Sequence, residues 1–172
     1  AGTFPMAKRH DALYAAAAFL CEMHKRYDEY NAEVVKKGEP EFVYTTGEIY
    51  VHPGIHTCIN DEAEFSLDVR HPNPEVRKHC MDILKEMAAQ DWCQCTSDIE
   101  EQWVRDTVYF DKRLVGFVEE SMEEMGAKWQ KILSGAGHDA QFCAYMIPTT
   151  MLFARTKDGL SHCEPEHVSD ED

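Results

Sequence analysis

His138 follows two glycines and an alanine in "SGAGHDAQF", Ser134 to Phe142, and Asp139 stands directly after it. Small residues at Gly135, Ala136 and Gly137 let main chain approach a ligand closely or take positive φ, and a helix starting there offers free N–H groups to an anion. An imidazole in such a place can hold or move a proton. The same residues also suit a plain turn in which Asp139 caps the helix. His162, in "DGLSHCEPE", follows an apolar stretch that reads as a strand. Ligands of open α/β sheets collect beyond the carboxyl ends of strands, so an imidazole there is placed for a metal ion, with Glu164 and Glu166 either its supporting acceptors or simply part of the acidic tail. A plain surface histidine is the competing reading. Arg70 can grip a carboxylate with two parallel hydrogen bonds, or pair with Asp68 and Glu64 on its own strand face.

The other histidines do not form a self-contained metal site. His52 and His56 are four apart, but Pro53 and Gly54 between them preclude a helix, and no HxH spacing occurs. The seven cysteines are odd in number and include no CxxC pair, so neither a disulfide framework nor a zinc knuckle is expected. Cys93 and Cys95 read as small buried hydrophobes, and a reducing cytoplasm fits such usage.

The elements that must carry these residues fall into two groups. Residues 11–31 show Leu13, Ala16, Leu20, Met23 and Tyr27 at helical spacing in an alanine-rich stretch. "EFVYTTGEIYVHPG" predicts one kinked strand or a short hairpin, and "AEFSLDVRH" alternates with Phe65, Leu67 and Val69 on one face. Asn73 before Pro74 starts a helix whose stripe is Val76, Cys80, Ile83, Leu84 and Met87, and "WCQCTSDIEEQWV" predicts a further strand. That order predicts an α+β sandwich, an antiparallel sheet with helices on one face. After a boundary near Val104 the pattern changes. Asp111 caps a helix through Leu114, Val118, Met122 and Met125 to Gly126, a second helix begins near His138, and "TTMLFAR" reads as a buried parallel-type strand, an α/β alternation.

Composition narrows the partners. At 172 residues with 44% hydrophobic and 28% charged residues the chain can bury a core, and its formal charge of −15 argues against nucleic acid. No apolar run reaches membrane-span length, the start is a poor signal peptide, and the tail "CEPEHVSDED" reads as a solvated end.

Four segments in chain order, "AGTFPMAKRHDAL", "EFSLDVRHPN", "SGAGHDAQF" and "DGLSH", carry a resemblance along the whole chain. They resemble the N-carbamoyl-L-amino-acid hydrolase, β-ureidopropionase and allantoate amidohydrolase group of the M20-type metal amidohydrolases. The resemblance implies that residues 1–104 are an α+β lid that also mediates dimerisation. It implies that 105–172 are the C-terminal α/β portion of a metallopeptidase-like catalytic domain. In such enzymes two divalent ions, zinc or manganese, share a carboxylate and activate water for attack on a carbamoyl or ureido carbon, with a glutamate as general base. His162 then resembles the last histidine ligand of the metal pair, and Arg70 the lid arginine that binds the substrate carboxylate. His138 resembles a catalytic histidine in the pocket wall, beside the backbone of Gly135, Ala136 and Gly137. Thr57 stands where the family has a lid asparagine, and Asn60 where it has a proline.

A bridged ion pair needs several protein ligands for each ion. These residues supply one convincing donor, so the expectation is a chain inactive by itself. A second polypeptide is expected to supply the N-terminal catalytic half and the remaining metal ligands, with a dimer through the lid and a small-molecule substrate. The alternative is a truncated, hydrolytically inactive member serving as a binding or dimerisation module, or one with altered amide chemistry.

Overall fold

A computed structural model of the chain describes residues 1–169; Asp170, Glu171 and Asp172, the end of the acidic tail, lie outside the described residues. The chain divides into two compact units, Ala1–Thr107 and Val108–Asp172.

The first unit begins its regular structure with α1, Ala12–Lys36, whose N-terminus is capped by Asp11 accepting the Tyr14 N–H at 3.2 Å. The helix runs past residue 31 and ends before Gly38, which takes φ +83°. Its buried stripe is Ala15, Ala16, Phe19, Met23, Tyr27 and Val34. Leu13, expected on that stripe, is exposed because it lies in the first turn, ahead of the first buried position. The second helix, α2, spans Pro74–Ala88. Asn73 caps it by accepting the Glu75 N–H at 3.0 Å, and Pro74 occupies the first turn, where no N–H is needed. Val76, Cys80, Ile83, Leu84 and Met87 are all buried, as their spacing predicts.

Between the helices lie four short strands, β1 Val43–Thr45, β2 Ile49–His52, β3 Glu62–Phe65 and β4 Asp68–Arg70. β1 pairs antiparallel with β4 and β2 with β3. The registers, Thr45↔Asp68 and Ile49↔Phe65, differ by one residue, so three residues on one side face two on the other. That is the signature of a bulge in one longer ladder, which breaks the uninterrupted strand expected over "AEFSLDVRH". The hydroxyl of Ser66 holds the break together by accepting the N–H groups of Gly47 and Glu48, at 3.3 and 3.0 Å.

Phe65, Leu67, Val69 and Tyr44 pack on the helices, so the expected core face survives the bulge. The largest fully buried side chains are Tyr27, Phe42, Met23, Met87, Val34 and Cys80. Burial of each such apolar side chain contributes about 1.5–3 kcal/mol. Burial also pushes the Cys80 thiol up to about 12, marking it as an inert packing residue. Tyr27 keeps its hydroxyl satisfied by donating to the Cys80 carbonyl at 3.0 Å.

The strand expected over "WCQCTSDIEEQWV" does not form. Cys93 and Gln94 take φ +55° and +62°, so the chain reverses at once and only a single bridge joins Trp92 to Cys95. Trp92 turns back to donate its ring N–H to the Met87 carbonyl at 2.7 Å, and Cys93 and Cys95 are half-buried.

The second unit contains α3, Lys112–Glu124, and α4, Asp139–Ala144. Asp111 caps α3 by accepting the N–H groups of Arg113 and Leu114, at 2.9 and 3.2 Å. Those N–H groups, Leu114's first, hold its carboxyl below the usual range. Gly126, with φ +66°, follows the end of α3. The residue capping α4 is His138; Asp139, expected as its cap, stands in the first turn instead. "TTMLFAR" forms no strand, and none occurs in this unit among the described residues. The physical reason is backbone pairing: a strand needs a neighbour for its N–H and C=O groups, and these residues provide none. The α+β character of the first unit is therefore present, whereas the described residues of the second are helix and loop. From Val108 to Ser169 no residue is buried. Phe117, Tyr145, Met146, Ile147 and Leu152 are all at least 60% exposed.

Candidate functional site

Arg70 ends β4 opposite Val43. Its Nε and Nη2 donate to one oxygen of Asp68, at 2.8 and 2.5 Å. That hydrogen bond raises the Arg70 pKa and keeps the guanidinium charged, while both side chains stay partly exposed. Asp68 is a partner of Arg70 on this strand face, and Glu64, on β3, is exposed as well. The fork is thereby oriented by a neighbour on its own strand.

Thr57 sits in an exposed turn after β2, and its carbonyl accepts the Gly2 N–H at 2.8 Å. A Cβ on Gly2 would lie 2.8 Å from that same oxygen, so only glycine fits there. Arg9 holds the segment from its other side, donating to the carbonyls of Gly2 at 2.6 Å and Phe4 at 2.9 Å. Asn60 is buried and accepts the Gly54 N–H at 3.1 Å, while its carbonyl accepts the Ala12 N–H at 3.0 Å. The "AGT" and "HTCIN" segments, far apart in sequence, thus meet through the main chain of Thr57. Sequence reasoning missed Arg9 and Asn60 as the residues that fix this meeting. Nothing in their spacing signals it.

In the second unit His138 is half-buried, with Ser134 Oγ 2.6 Å from its Nε2 and its ring edge against Phe153 at a centroid distance of 5.4 Å. Ala136 N–H donates to the same hydroxyl at 3.2 Å, and His138 N–H donates to the Gln141 side chain at 3.3 Å. Gly135 lies outside the left-handed region, and a Cβ there would meet nothing within 4 Å among the described residues. Of the two uses open to this glycine, positive φ is not the one taken. Ala136 and Gly137 are exposed beside it, so this stretch forms one accessible main-chain surface. Ser134 was legible in principle, as a hydroxyl four residues before an imidazole.

His162 is exposed and takes φ +59°. Ser161 Oγ lies 2.7 Å from its Nδ1. Glu166 accepts the His162 backbone N–H at 2.7 Å, so it holds the loop and not the imidazole expected of it.

The sequence matches Peptidase family M20/M25/M40 over residues 3–172. The chain belongs to this family. Within it, the chain is 30% identical over 173 residues to the allantoate amidohydrolase of Bacillus subtilis (strain 168), covering 98% of this chain and 40% of that protein. It is 31% identical to the N-carbamoyl-L-amino-acid amidohydrolase of Paenarthrobacter aurescens, covering all of this chain and 40% of the relative. Among solved structures, a hydantoinase/carbamoylase family amidase from Burkholderia multivorans superposes with a TM-score of 0.72 at 31% identity, over 99% of this chain and 40% of that one. The chain thus spans about 40% of the length of the M20 relatives it matches.

M20 amidohydrolases are generally dependent on divalent metal. Among the described residues no three His, Cys, Asp or Glu side chains converge as an ion site. The donor set present does not fit a complete two-ion centre.

Proposed function

We propose that these 172 residues form part of a metal-dependent amidohydrolase acting on a linear amide, an N-carbamoyl or ureido group. The observation that carries this reading is His162. Ser161 Oγ stands 2.7 Å from Nδ1, and with Nδ1–H donating to that hydroxyl the Nε2 lone pair would be available to a metal ion. Membership of the M20 family, and relatives named as allantoate and N-carbamoyl-L-amino-acid amidohydrolases, support the substrate class. Zinc or manganese is the metal proposed. In this reading His162 supplies one ligand, and residues outside these 172 positions supply the others. Arg70 binds the substrate carboxylate, Thr57 lines the lid side, and His138 with Gly135, Ala136 and Gly137 lines the pocket wall. The first unit acts as the lid and dimerisation surface, and the second as the closing portion of the catalytic domain.

The exposed apolar side chains of the second unit support the need for a further segment. A stretch this long with no buried residue cannot offset its conformational entropy by itself. Whether that segment lies on the same polypeptide or on a second one, its role is the same. The test uses the assembled, metal-loaded protein on N-carbamoyl amino acids and allantoate. Expected are loss of bound metal in His162→Ala and a raised KM in Arg70→Ala. Full metal content in the first variant, or unchanged kinetics in the second, would remove the role assigned to that residue.

A further inference from the structure

We propose that His71 is a positioning residue for Arg70: its buried imidazole clasps the main chain at the end of β4 and so steadies the arginine that meets a ligand carboxylate. The clasp stands on the geometry of the first unit; its effect on a ligand rests on the carboxylate role proposed for Arg70 above.

The ladder cannot run on past Arg70. Val43 and Arg70 form the last pair of β1 and β4. Beyond them the chain has Pro40 on one side and Pro72 on the other, and neither carries an N–H to continue the pairing. Both main-chain groups of Phe42 are taken by the Asn31 side chain, at 3.0 and 3.1 Å. A terminal pair in this position frays unless another group closes it.

His71 closes it. The residue is only 6% exposed. Its Nε2 lies 2.9 Å from the Pro40 carbonyl, which only accepts, and its Nδ1 takes the Asn73 N–H, which only donates, at 3.0 Å. The Asn73 carbonyl is farther from Nδ1, at 3.4 Å. One ring thus ties the end of β4 both to the chain entering β1 and to the residue that caps α2. The neighbouring carbonyls are held as well: His71's accepts from Arg77 Nη1 at 2.5 Å, and Pro72's from Thr107 Oγ1 at 2.7 Å.

Arg70 is then fixed from two directions. Asp68 orients its guanidinium, and the residue after it anchors its main chain. An arginine with a settled backbone loses less freedom when its fork meets a carboxylate, so the gain lies in binding and not in the chemical step.

The test compares His71→Asn, which keeps an acceptor near the Asn73 N–H but is too short for Pro40, with His71→Gln, whose longer amide still reaches it. The first measurement is the 15N order parameter of the Arg70 backbone amide in the full chain. Expected are about 0.85 in wild type, a fall below about 0.6 in His71→Asn, and recovery in His71→Gln. An equally rigid amide in His71→Asn overturns the proposal. So does a flexible Arg70 amide in wild type, even if His71→Asn does not fold. In the assembled, metal-loaded hydrolase on N-carbamoyl amino acids, His71→Asn should raise KM about three- to tenfold at unchanged kcat, with His71→Gln near wild type. Met87→Ala controls for lost stability and should leave KM unchanged; an equal rise there would reduce His71 to a structural residue. Arg70→Ala, run alongside, separates the two readings. If it raises KM and His71→Asn does not, the positioning role falls. If it leaves KM unchanged, the carboxylate role of Arg70 falls with the effect on a ligand, and the order parameters alone decide the clasp.

Discussion

The first unit carries twelve buried apolar side chains, eleven on two capped helices and Phe42 just before the bulged antiparallel ladder, while the second has capped helices and no buried residue among those described. Their local signals are of equal quality: Asn73 and Asp111 both cap their helices, and both helices have regular apolar spacing. What separates them is whether the apolar stripe finds a second layer. In the first unit α1, α2 and the ladder cover one another; in the second, Phe117, Leu152 and their neighbours stay in solvent. Good helix signals therefore do not make an independent core.

The comparison is broken most readily by truncating an apolar side chain on each side of it. Met87→Ala, at a fully buried position, should cost about 2–5 kcal/mol in urea unfolding. Leu152→Ala, at a position 61% exposed, should cost less than about 0.5 kcal/mol in this chain. Equal costs would show that the second unit has a core of its own. Native-state hydrogen exchange sharpens the same contrast: amides of α1 and α2 should exchange far more slowly than those of α3 and α4.

Removal of a cap should have a smaller effect. Asn73→Ala should lower the stability of the first unit by about 1 kcal/mol, read as a shift of the urea midpoint at constant slope. The smallest effect concerns acid. Asp111 has a depressed pKa in the folded state, so its contribution is complete above the unfolded value of about 3.9 and lost as pH falls through the folded one. An acid titration of helicity should show this loss in wild type and not in Asp111→Asn. An identical acid limb in both would remove the cap's electrostatic role.

Much of the first unit was legible because its rules are local. The stripe of α2 depends on a period of 3.6 residues, and its start on Asn73 and Pro74, all within one short window. The missed features depend on distant partners. The reversal at Cys93 and Gln94 leaves Trp92 over Met87 and cancels a strand that alternation suggested. The bulge opposite Ser66 depends on β1 and β2 meeting β4 and β3 one residue out of step. The candidate site divides in the same way. The residue types at Arg70, His138 and His162 were readable, and so was Asp68 as one partner of Arg70 on its strand face, but Ser134 and Ser161 are known only from the distances.

The amino-acid order by itself determined the helices, their caps, the core face of "EFSLDVRH" and membership of the M20 family, because each is written in short-range spacing or in contiguous motifs. Tertiary structure alone decided the bulge, the docking of Gly2 on Thr57, the hydroxyl on each imidazole, and the failure of "TTMLFAR" to become a strand. Those outcomes turn on which hydrogen-bond partner reaches a group in space. For that strand, the neighbours it lacks among the described residues settle the matter.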